Sequence, residues 1–123
     1  MPTVVHFDIN TDDPVRAKKF YEGMFNWTIE VPSDLPDYYL IETKDLTGNE
    51  GVCGVLGKMP YKGQGITTYF GVDSIGEYID KVEKLGGTII QSMITVPGRG
   101  YSALCLDTEK NLFGLWQYDK NAQ

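Results

Sequence analysis

The chain has 123 residues, 41% hydrophobic and 23% charged, the make-up of one ordinary globular domain. Eleven Lys and Arg against seventeen Asp and Glu leave a net charge of −6, which argues against nucleic acid or an anionic membrane surface as partner, since both need a positive field. No apolar run approaches the roughly 20 residues that cross a bilayer, and the opening Met-Pro-Thr-Val has neither a basic nor an apolar leader region, so a cytoplasmic location is expected.

Residues 3–10 alternate, with Val5, Phe7 and Ile9 on one side and Val4, His6 and Asp8 on the other, so they predict a strand with two unlike faces. Asp13-Pro14 then starts a helix: the carboxylate can accept the first unpaired N–H groups, and proline has none to lose. Ala17, Phe20, Tyr21, Met24 and Phe25 fall at helical spacing and predict one apolar stripe, with the helix ending near Asn26. Three short β-rich runs follow at 27–31, 38–43 and 52–56, separated by Pro, Gly, Asp and Asn.

The same order then recurs. Residues 66–73 alternate, Ser74 with Glu77 makes a capping box, and Ile75, Tyr78, Ile79, Val82 and Leu85 form a second stripe that Gly86-Gly87 closes. Strands are predicted at about 88–96, 101–107 and 112–118. Laying one half on the other puts His6 on Thr67, Asp8 on Tyr69 and Asp12 on Asp73. The repeat is one of pattern rather than identity. It gives one domain over 1–123, with module one at about 3–57, a hinge over 58–65 containing Pro60, Gly63 and Gly65, and module two at about 66–119. Cys53 and Cys105 are too few for a disulfide framework; lying in apolar strand-like runs, both are expected to be reduced, buried thiols.

Three segments carry a resemblance over nearly the whole chain: VVHFDINTDDPVRAKKFYEGMFNW (4–27), GVDSIGEYIDKVEKLGG (71–87) and LDTEKNLFGLWQ (106–117). Together and in this order, the chain resembles the vicinal oxygen chelate superfamily of glyoxalase I, bleomycin-resistance proteins and extradiol dioxygenases. In that family the first segment usually ends FY-x-x-x-FGW, and here Asn26 replaces the glycine. The last usually reads DPDGN-x-FGLWQ, and DTEKN keeps only its outer Asp and Asn. The resemblance implies an α+β fold: two βαβββ modules related by a pseudo-twofold, forming a cup-shaped eight-stranded mixed sheet with the helices outside. It also implies a homodimer.

Metal-dependent relatives are expected to place four ligands in the cup, from the first and fourth strands of each module, where the ion acts as a Lewis acid. His6 matches the first of these positions. Thr67 stands at its counterpart, and Gly114 stands where metal-binding relatives carry Glu. The fourth strand of module one has no carboxylate, with Cys53 near the required place and Glu50 at its entrance. An alternative donor set would be His6, Asp8, Cys53 and Glu50. One imidazole without a second is a poor grip for a divalent ion, so no cofactor is expected, a divalent metal held partly by His6 being the alternative.

The only histidine of the chain is then a ligand contact, a general base or a polar residue hydrogen-bonded to Asp8, Thr67 or Tyr69. If the alternation holds, His6, Asp8, Thr67, Tyr69, Gly114 and Trp116 share one face as a small-molecule site with aromatic walls. Gly114 in place of a carboxylate is expected to open space for an organic ligand. Three functions are consistent with these residues: capture of a small organic molecule without a metal; a metal-dependent lyase, isomerase or dioxygenase; and an interaction domain whose cup is filled by its own side chains.

Overall fold

The computed structural model describes residues 1–61 and 64–123, so Gly63 of the expected hinge lies outside the described residues. The elements in chain order are β1 (Val4–Asn10), α1 (Pro14–Phe25), β2 (Thr28–Glu30), β3 (Tyr38–Glu42), β4 (Cys53–Gly57), β5 (Ile66–Gly71), α2 (Ile75–Lys84), β6 (Thr88–Val96), β7 (Gly100–Leu106) and β8 (Leu112–Tyr118). The order is βαβββ twice, an α+β fold with mixed strand directions. The chain divides into two compact units, a first of His6–Thr67 and a second of Thr68–Gln123 together with Met1–Val5.

In the first unit the strands run β2-β3-β4-β1, with β1 parallel to β4 and the other pairs antiparallel. Ile9, Ile29, Ile41 and Leu56 form its core, with Phe7, Ala17, Tyr21, Trp27 and Tyr39 packed against them. Leu56 is fully buried, a burial that contributes about 2 kcal/mol. Helix α1 begins as its sequence dictates: the Asp13 carboxylate accepts from the Arg16 N–H at 3.1 Å, and Pro14 occupies the first turn. It ends at Asn26, whose φ of 58° is left-handed, which explains why glycine is usual there and why asparagine can stand in.

The apolar stripe of α1 is narrower than its periodicity predicts. Ala17 and Tyr21 pack on the core, but Phe20 and Met24 are 61% and 62% exposed, and Phe25 is exposed as well. Helical spacing marks a face about 100° wide or more, and a single small sheet covers only its middle. Tyr21 carries most of the contact by stacking on Trp27, with ring centroids 5.2 Å apart and planes 12° from parallel.

In the second unit the strands run β5-β8-β7-β6, with β5 parallel to β8 and the rest antiparallel. Ile75, Ala103, Cys105 and Leu115 form its core beneath α2. Ser74 Oγ accepts from the Glu77 N–H at 3.4 Å, and the Ile75 N–H donates to Gln117 Oε1 at 2.9 Å, so a β8 side chain satisfies one of the helix's unpaired donors. Gly86, at φ 94°, supplies the left-handed residue that closes α2. Leu85, placed in the apolar stripe by spacing, instead caps the helix and is exposed. The first residues of the chain complete this unit: the Gly71 N–H donates to the Thr3 carbonyl at 2.9 Å, and a Cβ on Gly71 would lie 2.9 Å from Val5 Cγ1.

Candidate functional site

In β1, Phe7 and Ile9 point into the core beneath α1, so alternation turns His6 and Asp8 to the opposite face. There they meet. His6 Nε2 lies 2.7 Å from Asp8 Oδ1, with the imidazole 29% and the carboxylate 15% exposed. Through this contact the Asp8 carboxylate fixes the orientation of the imidazole ring. Asn10, next on the same face, has its Oδ1 occupied by the Met59 N–H at 3.0 Å and serves the connection after β4.

Parallel pairing sets β4 beside this pair, with His6 opposite Cys53 and Asp8 opposite Val55. A Cβ on Gly54 would lie 2.7 Å from the Phe7 ring, so Gly54 faces the core and Cys53 faces away from it. Cys53 is exposed, not buried as its apolar neighbourhood suggests, because it is the first residue of β4 and lies on the outward side of the alternation. Cys105 is buried as expected, and burial pushes its thiol up to about 11.

In the second unit Tyr69 pairs with Gly114 across the parallel β5–β8 ladder. The Tyr69 ring lies directly over the glycine: a Cβ at residue 114 would overlap its ring carbons. The space that a missing carboxylate was expected to leave open is therefore filled, and Tyr69 is only 8% exposed. Leu104, opposite Gly114 on β7, is buried too. Trp116 is half-buried, with its ring edge-on to Tyr118 at 5.6 Å. Thr67, counted in the first unit, is 7% exposed.

The strand registers also place the four positions that metal-dependent relatives are expected to use. Asp8 and Tyr69 are counterparts in the repeat; their partners are Val55 and Gly114. The module-one counterpart of Gly114 is thus Val55 rather than Cys53. The set reads His6, Val55, Thr67 and Gly114: one imidazole, one hydroxyl and two residues with no donor. A divalent ion needs three or four His, Cys or carboxylate ligands, and these residues do not fit one. Among the described residues, no group of three or more His, Cys, Asp and Glu could hold a metal ion, the set of His6, Asp8, Cys53 and Glu50 included.

One further feature of the first unit escapes sequence reasoning. Pro14, Asp37, Tyr38 and Lys58 line an open cavity of about 460 Å³. The antiparallel register that sets Tyr38 opposite Gly57 brings them together, and nothing in the local sequence announces it.

Comparison with known proteins agrees with this architecture. Residues 3–115 match the model of the family described as Glyoxalase/Bleomycin resistance protein/Dioxygenase superfamily. The proteins named "Putative glyoxylase CFP32" in Mycobacterium tuberculosis and Mycobacterium bovis are 25% identical over 118 residues, covering 93% of this chain but 45% of theirs, so the chain spans about half of their length. A superfamily member from Vibrio splendidus has a similar structure, with a TM-score of 0.67 at 15% identity over 97% of this chain and 100% of that one. So does a variant of the methylmalonyl-CoA epimerase of Streptomyces coelicolor, solved in complex with 2-nitronate-propionyl-CoA, with a TM-score of 0.62 at 15% identity over 94% of this chain and 96% of that one. At such identities the two structures speak to fold alone. With the family match over residues 3–115, the chain belongs to the Glyoxalase/Bleomycin resistance protein/Dioxygenase superfamily.

Proposed function

We propose that this chain is a metal-independent, glyoxalase/bleomycin-resistance-like protein that binds a small organic molecule. The observation that carries this reading is the Tyr69 ring lying over Gly114, where a ligating carboxylate would have to begin. With Val55 in the corresponding place of module one, the donor set is that of an organic ligand's polar contacts rather than an ion's cage. In this reading the first unit offers the His6 and Asp8 pair and the Thr67 hydroxyl as polar contacts, and the second unit, taken by itself, offers the Trp116 ring beside the closely packed Tyr69 and Gly114. The protein works in the cytoplasm as a homodimer. The name of the mycobacterial relatives, a glyoxylase, favours a carbonyl-bearing ligand.

The test combines metal analysis with ligand-dependent melting. Protein purified without chelator should hold less than about a tenth of an equivalent of nickel, zinc, manganese or iron, because too few donors converge. Carbonyl compounds should raise its melting temperature, and Trp116→Ala or His6→Ala should remove the rise. A stoichiometric metal lost on His6→Ala would overturn the reading in favour of a metal-dependent lyase, isomerase or dioxygenase. The burial of Tyr69, Leu104 and Leu112 favours a second reading, an interaction domain filled by its own side chains, which a library giving no shift would select.

A further inference from the structure

We infer that helix α1 of one copy packs antiparallel against helix α2 of a second copy of this chain. On α1, Arg16, Lys19 and Gly23 stand at i, i+3 and i+7 and so share one exposed row. On α2, Gly76, Asp80 and Glu83 stand at i, i+4 and i+7 and share another. Run antiparallel, the two spacings coincide: Arg16 falls opposite Glu83, Lys19 opposite Asp80 and Gly23 opposite Gly76. Lys18 on α1 is satisfied by Glu22 at 2.9 Å, whereas Arg16 has only a loose contact with Asp13 at 3.6 Å. Among the described residues Lys19, Asp80 and Glu83 have no ion-pair partner. Glu77 and Lys84 form the next row of α2 and carry opposite charges.

Glycine weakens a helix, yet a Cβ on Gly23 or Gly76 would meet nothing within 4 Å, so packing inside the chain calls for neither. Set opposite each other, the two glycines let the helix backbones approach to the near end of the usual interaxial range of about 8–10 Å. Phe20 and Met24, 61% and 62% exposed, flank the α1 row and supply the apolar part of the contact. The whole chain carries a charge of −6, so two copies repel unless a basic strip of one meets an acidic strip of the other. Helix α1 supplies the first and α2 the second. Antiparallel packing also sets each end of one helix macrodipole beside its opposite. The contact rests on the homodimer proposed above and names the surfaces that form it.

The experiment follows self-association of the full chain by sedimentation velocity across a dilution series. The wild type should dimerise, and more weakly as salt rises. Arg16→Glu with Lys19→Glu makes both rows acidic, and Asp80→Lys with Glu83→Lys makes both basic. Each double variant should weaken association about tenfold or more, with folding checked by melting temperature. Mixed in equal amounts, the two should associate with each other, since each row again meets its opposite. Gly23→Gln, which has room within its own chain, should weaken association as well, and so should Phe20→Ser, which costs the folded monomer little. A dimer that persists in both double variants, or a mixture that does not associate, overturns this contact and leaves the homodimer standing. A wild type that stays monomeric overturns both, while ligand-dependent melting still tests the binding role.

Discussion

The ring of Tyr69 lies across the backbone of Gly114, its partner on the neighbouring parallel strand, and occupies the volume in which any side chain at 114 would begin. Glycine is therefore required at this place by packing. Gly114→Ala should destabilise the protein by about 1–3 kcal/mol through overpacking, and Gly114→Glu by at least as much. In a Tyr69→Ala background the same substitutions should cost clearly less, because the obstructing ring is gone. Urea unfolding of the six proteins gives the coupling directly. If the 114 substitutions cost the same with and without the ring, the account given for this glycine is wrong.

The two cysteines should behave oppositely. A disulfide reagent should titrate one thiol in the native protein, Cys53, and two after unfolding. Cys105 also makes stability depend on alkaline pH. Its ordinary value is 9.0, and burial raises it to about 11 in the folded chain. The folded state then holds a proton that the unfolded state has lost. Its contribution is complete below 9.0 and disappears as pH rises through about 11. Cys105→Ala should flatten the decline of melting temperature in that window while lowering the plateau, because it leaves a cavity in the core.

The turn between β7 and β8 is held by Asp107. Its Oδ1 accepts from the Glu109 and Asn111 N–H groups at 2.8 and 2.9 Å, and Oδ2 accepts from Asn111 Nδ2 at 3.1 Å. The hydrogen bonds from Asn111, backbone and side chain, and from Glu109 hold its carboxyl below the ordinary 3.8. The stabilisation is present above that value and is lost as pH falls through the lower folded one. Asp107→Ala should lower the melting temperature at neutral pH and remove part of the acid sensitivity, as a pH series of thermal melts would register.

The same turn stores a backbone strain that can be relieved. Lys110 has a φ of 65°, the left-handed region in which a side chain is penalised, and it stands where family members usually carry glycine. Lys110→Gly should stabilise the protein by up to about 1 kcal/mol, measured by denaturant midpoint. A loss of stability would mean that the lysine side chain contributes more than its backbone costs.

Helix α1 offers a contrast between neighbouring aromatic positions. Phe20→Ser and Met24→Ser replace exposed side chains and should change stability by less than about 0.5 kcal/mol. Tyr21→Ala removes a ring stacked on Trp27 and should cost about 2 kcal/mol or more, a difference visible in chemical denaturation.

Much of the architecture is legible in the sequence because its signals are local. Asp13-Pro14, Asn26, Ser74 and Gly86 act within a turn or two of themselves, and each sits where its chemistry places it. Period-two alternation likewise suffices to bring His6 and Asp8 onto one face, where they touch. What fails is whatever depends on pairing between distant strands. Whether Gly114 is empty space or a seat for a ring depends on Tyr69 standing opposite it. Whether Val55 or Cys53 matches a ligand position depends on the β1–β4 register, because the two stand on one face of β4 and alternation alone does not tell them apart. The width of the α1 stripe fails for a related reason, since a period marks a direction but not how far the covering sheet extends.

The bond between Thr3 and Gly71 ties the opening residues to the unit built from the far end of the chain. During synthesis those residues leave the ribosome well before residue 71, so the second unit closes on a contact of long sequence separation, which is slow to form. Deleting residues 1–5, or burdening them with a bulky tag, would consequently injure the carboxy-terminal half before the amino-terminal one. Amide-exchange protection in β5 should fall while that of β3 persists.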